Sequence, residues 1–248
     1  MDASALSEAL EEASDTLTAR KMMRQHQPLR GIRGVPLNQV AELTAQAWRS
    51  LKPDLNQDED ELSRLFHAAW EDGLVAIGLL ATCIPKAPEQ ALDLGRSWLQ
   101  HTDDLITADA LGWIVLGGAS LLTESGLDMY HRHTHTLVRR SVTMAGMAWT
   151  STPMEGPSAA GLRAQIGVRS VRWTEQSHDG RLSLLCDAML RDESPPVRKA
   201  MRRVVRAWGQ DQPSAVVAWA DQVRGGLPKM LRSEVERARR ALKRQARS

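Results

Sequence analysis

A cluster of basic side chains between residues 198 and 206 is the first candidate for binding a ligand. This cluster contains Arg198, Lys199, Arg202, Arg203 and Arg206. On a helix, positions 198, 202 and 206 form one ridge, and positions 199, 203 and 206 form an adjoining ridge. Like charges this close destabilise an isolated helix, so the cluster predicts a polyanionic partner whose phosphate groups the basic side chains bind.

A second candidate is an acidic residue at the start of an apolar stretch. Asp109 is followed by mostly apolar residues as far as Leu122, so a partly buried carboxylate is expected there. An acid on an apolar helix needs a reason, because burying an unpaired charge is costly. Two readings stay open: a functional-site carboxylate, or an acid in the first helical turn, with Thr107 or Asp109 starting the helix.

Other patterns that carry chemistry are weak or missing. His131, His133 and His135 suggest a metal site, but only the first and third share a helical face, and Asp128 is the only acid beside them. The sequence shows no Ser/His/Asp arrangement, phosphate loop or dinucleotide fingerprint. We therefore expect no metal and no cofactor. Cys83 and Cys186 are too few for a disulfide framework, which favours a reduced, cytoplasmic protein.

The elements that must position these residues are predicted to be helices. With one Tyr and one Phe, and with many Ala, Leu, Arg and Glu residues, the composition favours helix over strand. Asp58 or Asp60 is expected to cap the helix at 62–70. Proline and glycine separate the predicted helices, which cover residues 3–18, 37–50, 62–70, 73–83, 88–101, 107–123, 131–150, 159–173, 181–191, 196–208, 214–224 and 227–246.

Short helices in pairs without strands predict an all-α, helical-repeat solenoid, and the lack of a clean repeat motif is typical of HEAT-like arrays. We expect one domain over residues 1–248, with an N-terminal helix within 1–19 and a basic C-terminal tail at 237–248. Most tryptophans are expected in the core. We expect no membrane partner, because no run of about 18 uninterrupted apolar residues is present.

Charge is divided unevenly between the two parts of the chain. Residues 1–162 carry 13 Lys and Arg against 21 Asp and Glu, a net charge of −8, whereas residues 163–248 carry 19 against 9, a net charge of +10. This asymmetry is expected if the C-terminal part binds a polyanion. Solvated helix faces would give the same pattern, so charge alone leaves the two readings even.

Six segments lie in the order and spacing of known family motifs: MRQHQPLRGIR at 23–33, EDGLVAIGLL at 71–80, ITADAL at 106–111, LVRRSV at 137–142, PVRKAM at 196–201 and LPKMLRSE at 227–234. Together they resemble the AlkD family of alkylpurine DNA glycosylases over roughly residues 20–240. The resemblance implies a curved α-solenoid whose concave face follows the backbone of double-stranded DNA. We expect the protein to be a monomer.

The resemblance also implies a reaction and a set of site residues. Its reaction is hydrolysis of the N-glycosidic bond of cationic N3- and N7-alkylpurines in damaged duplex DNA, carried out at the sugar and without a base pocket. Asp109 matches the catalytic aspartate, which stabilises positive charge on the deoxyribose and orients water. Arg140 matches the phosphate-contacting arginine. The other residues expected to bind DNA phosphates are Arg198, Lys199, Arg202 and Arg203.

The sequence departs from the family pattern at its aromatic residues. Met22, Leu105 and Arg203 stand where the family has aromatic side chains around the lesion. Trp113, one turn after Asp109, either replaces a lost aromatic or belongs to the core. Two alternatives to a glycosylase therefore stay open. One is a non-catalytic binder of damaged or branched DNA, which is what the AlkF and AlkG relatives of this family look like. The other is a HEAT-like protein–protein scaffold.

Overall fold

The computed structural model describes residues 3–26, 28–51, 53–123, 126–151, 173–223 and 225–246. All regular structure in these ranges is helical, which confirms the predicted all-α class. The predicted helix at 159–173 and the proline-rich break before it lie outside the described residues, apart from Trp173. The helices are α1 (Ala3–Glu12), α2 (Thr16–His26), α3 (Leu37–Leu51), α4 (Leu55–His67), α5 (Trp70–Cys83), α6 (Pro88–Trp98), α7 (Leu105–Ala110), α8 (Gly117–Leu122), α9 (Thr136–Ala145), α10 (Asp179–Met189), α11 (Pro195–Asp211), α12 (Pro213–Gln222) and α13 (Lys229–Gln245).

Helices pack mainly on neighbours in the chain. α4 packs on α5, and α12 packs on both α11 and α13. Four helices form a row in which each contacts the next, in the order α7, α9, α11 and α13. This order of contacts is expected of a helical repeat. The curvature and the concave face remain predictions.

Several predicted boundaries were wrong because local hydrogen bonds end or begin helices where hydrophobic periodicity shows no break. The predicted N-terminal helix stops at Glu12, and α2 begins at Thr16, where the Asp15 side chain accepts a hydrogen bond from the Thr18 amide at 2.6 Å. The cap of α4 is Asp54, whose carboxylate accepts from the Asn56 amide at 3.1 Å. Asp58, expected as a cap, instead accepts from the Asp54 amide.

The second half of the chain brings one further correction and one agreement. α9 begins at Thr136, so His131, His133 and His135 precede it and do not share a helical face. The expected helical pair of histidines is therefore absent. The basic residues from 237 onward lie on α13, which ends at Gln245 and agrees with the predicted helix at 227–246; Leu231, Val235 and Ala238 bury one face of that helix.

The predicted tryptophan core is confirmed. Trp113, Trp149 and Trp219 are each at most 5% exposed, as are Trp70, Trp98 and Trp208. Trp173 is partly buried against the core. Among the described residues, three indole N–H groups donate to acidic side chains, as buried tryptophans usually require a partner; the Trp70 Nε1 donates to the buried Asp104 at 2.9 Å.

The central core element is the apolar segment Leu105–Leu122. Its length and composition would suffice to cross a membrane, but 78% of it is buried inside the protein, as in a core helix. It consists of α7, a π-helical turn over Leu111–Leu116, and α8. π-turns occur often at functional sites, and this one directly follows the helix that carries Asp109.

Candidate functional site

Asp109 is the fifth of the six residues of α7 and follows its first turn. The N-cap of α7 is Asp104, whose carboxylate accepts hydrogen bonds from the amides of Ile106 at 2.7 Å and Thr107 at 3.1 Å. The prediction that Thr107 or Asp109 could start this helix was therefore wrong. Asp109 is only 8% exposed, so the capping explanation does not account for a nearly buried acid.

Arg140 of α9 binds Asp109 through a two-point ion pair. The Arg140 Nε lies 2.7 Å from Oδ1 of Asp109, and Nη2 lies 2.7 Å from Oδ2. The third guanidinium nitrogen, Nη1, donates to the carbonyl oxygen of Pro196 at 2.5 Å. With the residue 3% exposed, Arg140 has all three nitrogens engaged inside the protein. In this structure its guanidinium is paired with Asp109, and binding of a DNA phosphate by Arg140 stays a prediction.

Arg203 of α11 supplies a second guanidinium to the same carboxylate. Its Nη1 lies 2.6 Å from Oδ2 of Asp109, and its side chain is 47% exposed. One carboxylate thus faces two guanidinium groups, which leaves a net positive charge at the site. The sequence placed Arg203 either at a phosphate or beside a cationic base, and neither reading anticipated its contact with Asp109.

Close helix packing brings the residues of this site together. A Cβ atom at Gly112 would lie 2.1 Å from the carbonyl oxygen of Ser141, and one at Gly117 would lie 2.6 Å from that of Ala145. Only glycine allows the segment after Asp109 to approach α9 this closely. Gly112 follows Asp109 by one turn, and Ser141 follows Arg140, so the same contact sets the Asp109–Arg140 distance.

Arg139, next to Arg140 on α9, points away from the site. Its Nε lies 2.6 Å from Oδ2 of Asp192, and its Nη2 lies 2.7 Å from Oγ of Ser194. Although burial raises the pKa of the Asp192 carboxyl, the hydrogen bonds from Arg139 and Ser194 hold it below its ordinary value. Arg139 therefore joins α9 to the start of α11, the helix that carries Arg203.

The remaining predicted phosphate ligands lie along α11. Lys199 is exposed, and Arg198 is 44% exposed on its side chain while its Nε donates to the Asp192 carbonyl at 3.0 Å. Arg202 is also 44% exposed, but its Nε binds Glu234 at 2.7 Å. These residues share the helix of Arg203 and lie outside its contact with Asp109.

The three residues predicted to contact the lesion differ in how far they are buried. Leu105, at the first turn of α7, is 46% exposed. Trp113 is 3% exposed and Met22 is 5% exposed, and both belong to the hydrophobic core. Of the three, Leu105 alone presents a surface to solvent here, and Trp113 takes the core placement that was its alternative.

The buried acids that sequence reasoning missed include Glu234 and Asp104. Glu234 is 2% exposed although arginines surround it; the signal was its place in the apolar stripe of α13, between Leu231 and Val235. Asp104, the cap of α7, is 3% exposed. Burial raises the pKa of the Asp104 carboxyl above its ordinary value, although hydrogen bonds from Thr107, Trp70 and Ile106 act against this.

Comparison with known proteins identifies the family of the chain. No curated protein matches the chain. A solved structure described as a predicted DNA alkylation repair enzyme from Enterococcus faecalis superposes with a TM-score of 0.66, covering 90% of this chain and 94% of its own, at 14% identity. That likeness shows the fold. The sequence model of a family described as DNA alkylation repair enzyme matches residues 6–246, nearly the whole chain, and the protein therefore belongs to the DNA alkylation repair enzyme family.

Proposed function

We propose that the protein is an alkylpurine DNA glycosylase that hydrolyses the N-glycosidic bond of cationic N3- and N7-alkylpurines in duplex DNA. The observation that carries the proposal is Asp109, a nearly buried carboxylate fixed by the two-point ion pair with Arg140. Membership of a DNA repair family supports DNA as the substrate. A fixed charge in a low-dielectric site stabilises developing charge without having to reorganise first.

The chemistry requires few catalytic groups. The bond between the sugar C1′ and the purine nitrogen breaks, and its electron pair leaves with the base, which neutralises the positive charge of the alkylated purine. Because the leaving group becomes neutral, no general acid is needed. Water adds to C1′ and releases a proton to solvent, which gives an abasic sugar. Asp109 stabilises the oxocarbenium charge on the sugar and orients the attacking water.

The two arginines act differently on that carboxylate. Arg140 is buried and holds both oxygens, which makes it a positioning residue. Arg203 is half exposed and holds Oδ2 through one nitrogen, so it is the partner that can leave. Release of Arg203 from Asp109, with transfer of its guanidinium to a DNA phosphate, would free one hydrogen-bonding position on Oδ2 to face the sugar, while Arg140 still holds that oxygen.

A second function has its own support. Arg203 neutralises Asp109, and the exposed residue one turn before Asp109 is Leu105 instead of an aromatic. Both features suit a protein that binds damaged or branched DNA without excising a base, because cation–π stabilisation of a cationic purine is missing.

Single-turnover release of 7-methylguanine and 3-methyladenine from methylated duplex DNA distinguishes the two functions. Glycosylase activity predicts release by excess protein well above the spontaneous rate of the same DNA. Binding that weakens steeply with salt, without release above that rate, would reject the glycosylase and support the non-catalytic binder.

Replacing Arg203 with Trp is expected to raise the release rate of 7-methylguanine. The change removes a positive charge beside a cationic base and supplies a ring face, a contribution of about 0.5–2 kcal/mol that corresponds to about 2- to 30-fold. Arg203→Gln is the control, since it removes the charge without adding a ring. If both variants lose release, Arg203 is required in the reaction and does not restrain Asp109.

A further inference from the structure

A second organised cluster lies on the other side of α11 from Asp109. Glu234 of α13 binds three guanidinium groups: the Arg202 Nε at 2.7 Å from Oε1, the Arg206 Nη2 at 2.9 Å from Oε1, and the Arg237 Nη1 at 3.1 Å from Oε2. We call Glu234, Arg202, Arg206 and Arg237 the α11–α13 arginine cluster. One negative charge among three positive ones leaves it a net charge of +2.

The acid of this cluster is buried, whereas its arginines are about half exposed. The Glu234 side chain is 0% exposed, whereas those of Arg202, Arg206 and Arg237 are 44%, 42% and 55% exposed. Burial raises the pKa of Glu234, but the hydrogen bonds from Arg206 and Arg202 outweigh it and leave that pKa below its ordinary value. The carboxylate is thus charged at neutral pH and binds all three arginines, whose side chains stay about half exposed to solvent.

The basic surface continues beyond the cluster. A groove of about 400 Å³ lies between α11 and α13, and Arg206, Arg237, Arg240 and Arg244 line it with Glu234 as the acid among them. The opposite face of α13 is different, because Arg239 there is paired with both Glu236 and Asp221. Excess positive charge is therefore concentrated on the groove side.

We propose that the α11–α13 arginine cluster binds a backbone phosphate of duplex DNA flanking the nucleotide at Asp109. Arg202 and Arg203 are adjacent on α11, but Arg202 reaches α13 and Arg203 reaches α7, so the cluster and Asp109 lie on opposite sides of α11. The choice of partner rests on the proposed DNA substrate, but binding requires no base release.

Arg237→Gln tests this site on undamaged duplex DNA, so its outcome is independent of whether the protein excises bases. Loss of one phosphate contact should make the slope of log affinity against log salt shallower by about 0.9, with affinity lower by about tenfold at 50 mM salt and about threefold at 200 mM. Arg239→Gln removes the same charge from the opposite face of the same helix, where acids already neutralise it, and should leave both quantities unchanged. An unchanged slope for Arg237→Gln, or an equal loss for Arg239→Gln, would overturn the proposal.

Glu234→Gln separates an organised site from a diffuse basic patch. The substitution makes the protein more positive, so a diffuse patch would bind DNA more tightly. An organised site would bind more weakly, because the arginines lose the carboxylate that orients them. Tighter DNA binding by folded Glu234→Gln protein would overturn the proposal. So would an Arg237→Gln protein that binds anionic phospholipid vesicles more weakly than wild type but binds DNA equally well. Arg237→Gln, at an exposed position, keeps the test valid if Glu234→Gln does not fold.

Discussion

Asp109→Asn is expected to lower single-turnover release of 7-methylguanine by about 10²- to 10³-fold, the loss typical of removing one preorganised electrostatic group. Asparagine keeps the size of the side chain and one oxygen, but it carries no charge to oppose the oxocarbenium ion. The measurement is release by excess protein from methylated duplex DNA, at a temperature where both proteins are folded.

The DNA affinity of the same variant should move in the other direction. Asp109 lies between the guanidinium groups of Arg140 and Arg203, so removing its charge leaves a more positive surface. Affinity for undamaged duplex at low salt should be equal or higher. A fall in release together with a matching fall in affinity would show that Asp109 supports binding and has no part in the chemistry.

Asp72→Asn provides a matched structural control. Asp72 of α5 forms a two-point contact with Arg33, with Nε at 2.7 Å from Oδ2, and its side chain is 0% exposed. The substitution also breaks a buried Asp–Arg pair, but at the loop before α3. It should destabilise the protein while the folded fraction keeps its release rate. Equal losses of release in both variants would mean that Asp109 acts only through stability.

The sequence predicted the class of fold, and it singled out Asp109 and Arg140 as candidate site residues but not their ion pair, because the fold class and the two residues depend on local pattern. Helix type follows from composition and periodicity, and the two residues stand in ordered motifs of a family. Boundaries failed where a single side chain decided them, as Asp15 does for α2 and Asp104 for α7. The π-turn after Asp109 was also missed, since one added residue per turn leaves no clear mark in an apolar run.

Contacts of long side chains between helices could not be predicted. Arg203 was placed on the correct helix, but whether it reaches a phosphate, a base or Asp109 depends on how α11 lies against α7. Glu234 was missed for a related reason. An acid near many arginines usually indicates exposed pairs on one helix, and only the packing of α13 on α11 buries it.

Arg140→Met is expected to lower the free energy of unfolding by about 3–5 kcal/mol, because removing one partner leaves a nearly buried charge uncompensated. Asp109 would lose both bonds to Arg140, and the Pro196 carbonyl would lose its donor. For a protein of this size the melting temperature should fall by about 2–4 °C per kcal/mol, which thermal unfolding followed by circular dichroism would measure. Arg140→Lys, which keeps the charge but cannot form the two-point contact, should lie between wild type and Arg140→Met.

The double variant Asp109→Asn/Arg140→Met shows whether Arg140 acts through Asp109. If the two side chains stabilise the protein as a pair, the loss in the double variant should be smaller than the sum of the single losses by about 0.5–3 kcal/mol. Additive losses would mean that each residue is held by other contacts, with Arg203 as the main partner of Asp109. In that case Arg140 would not be the positioning residue. Release by Arg140→Met below its melting temperature should then equal that of wild type, whereas positioning by Arg140 requires it to fall.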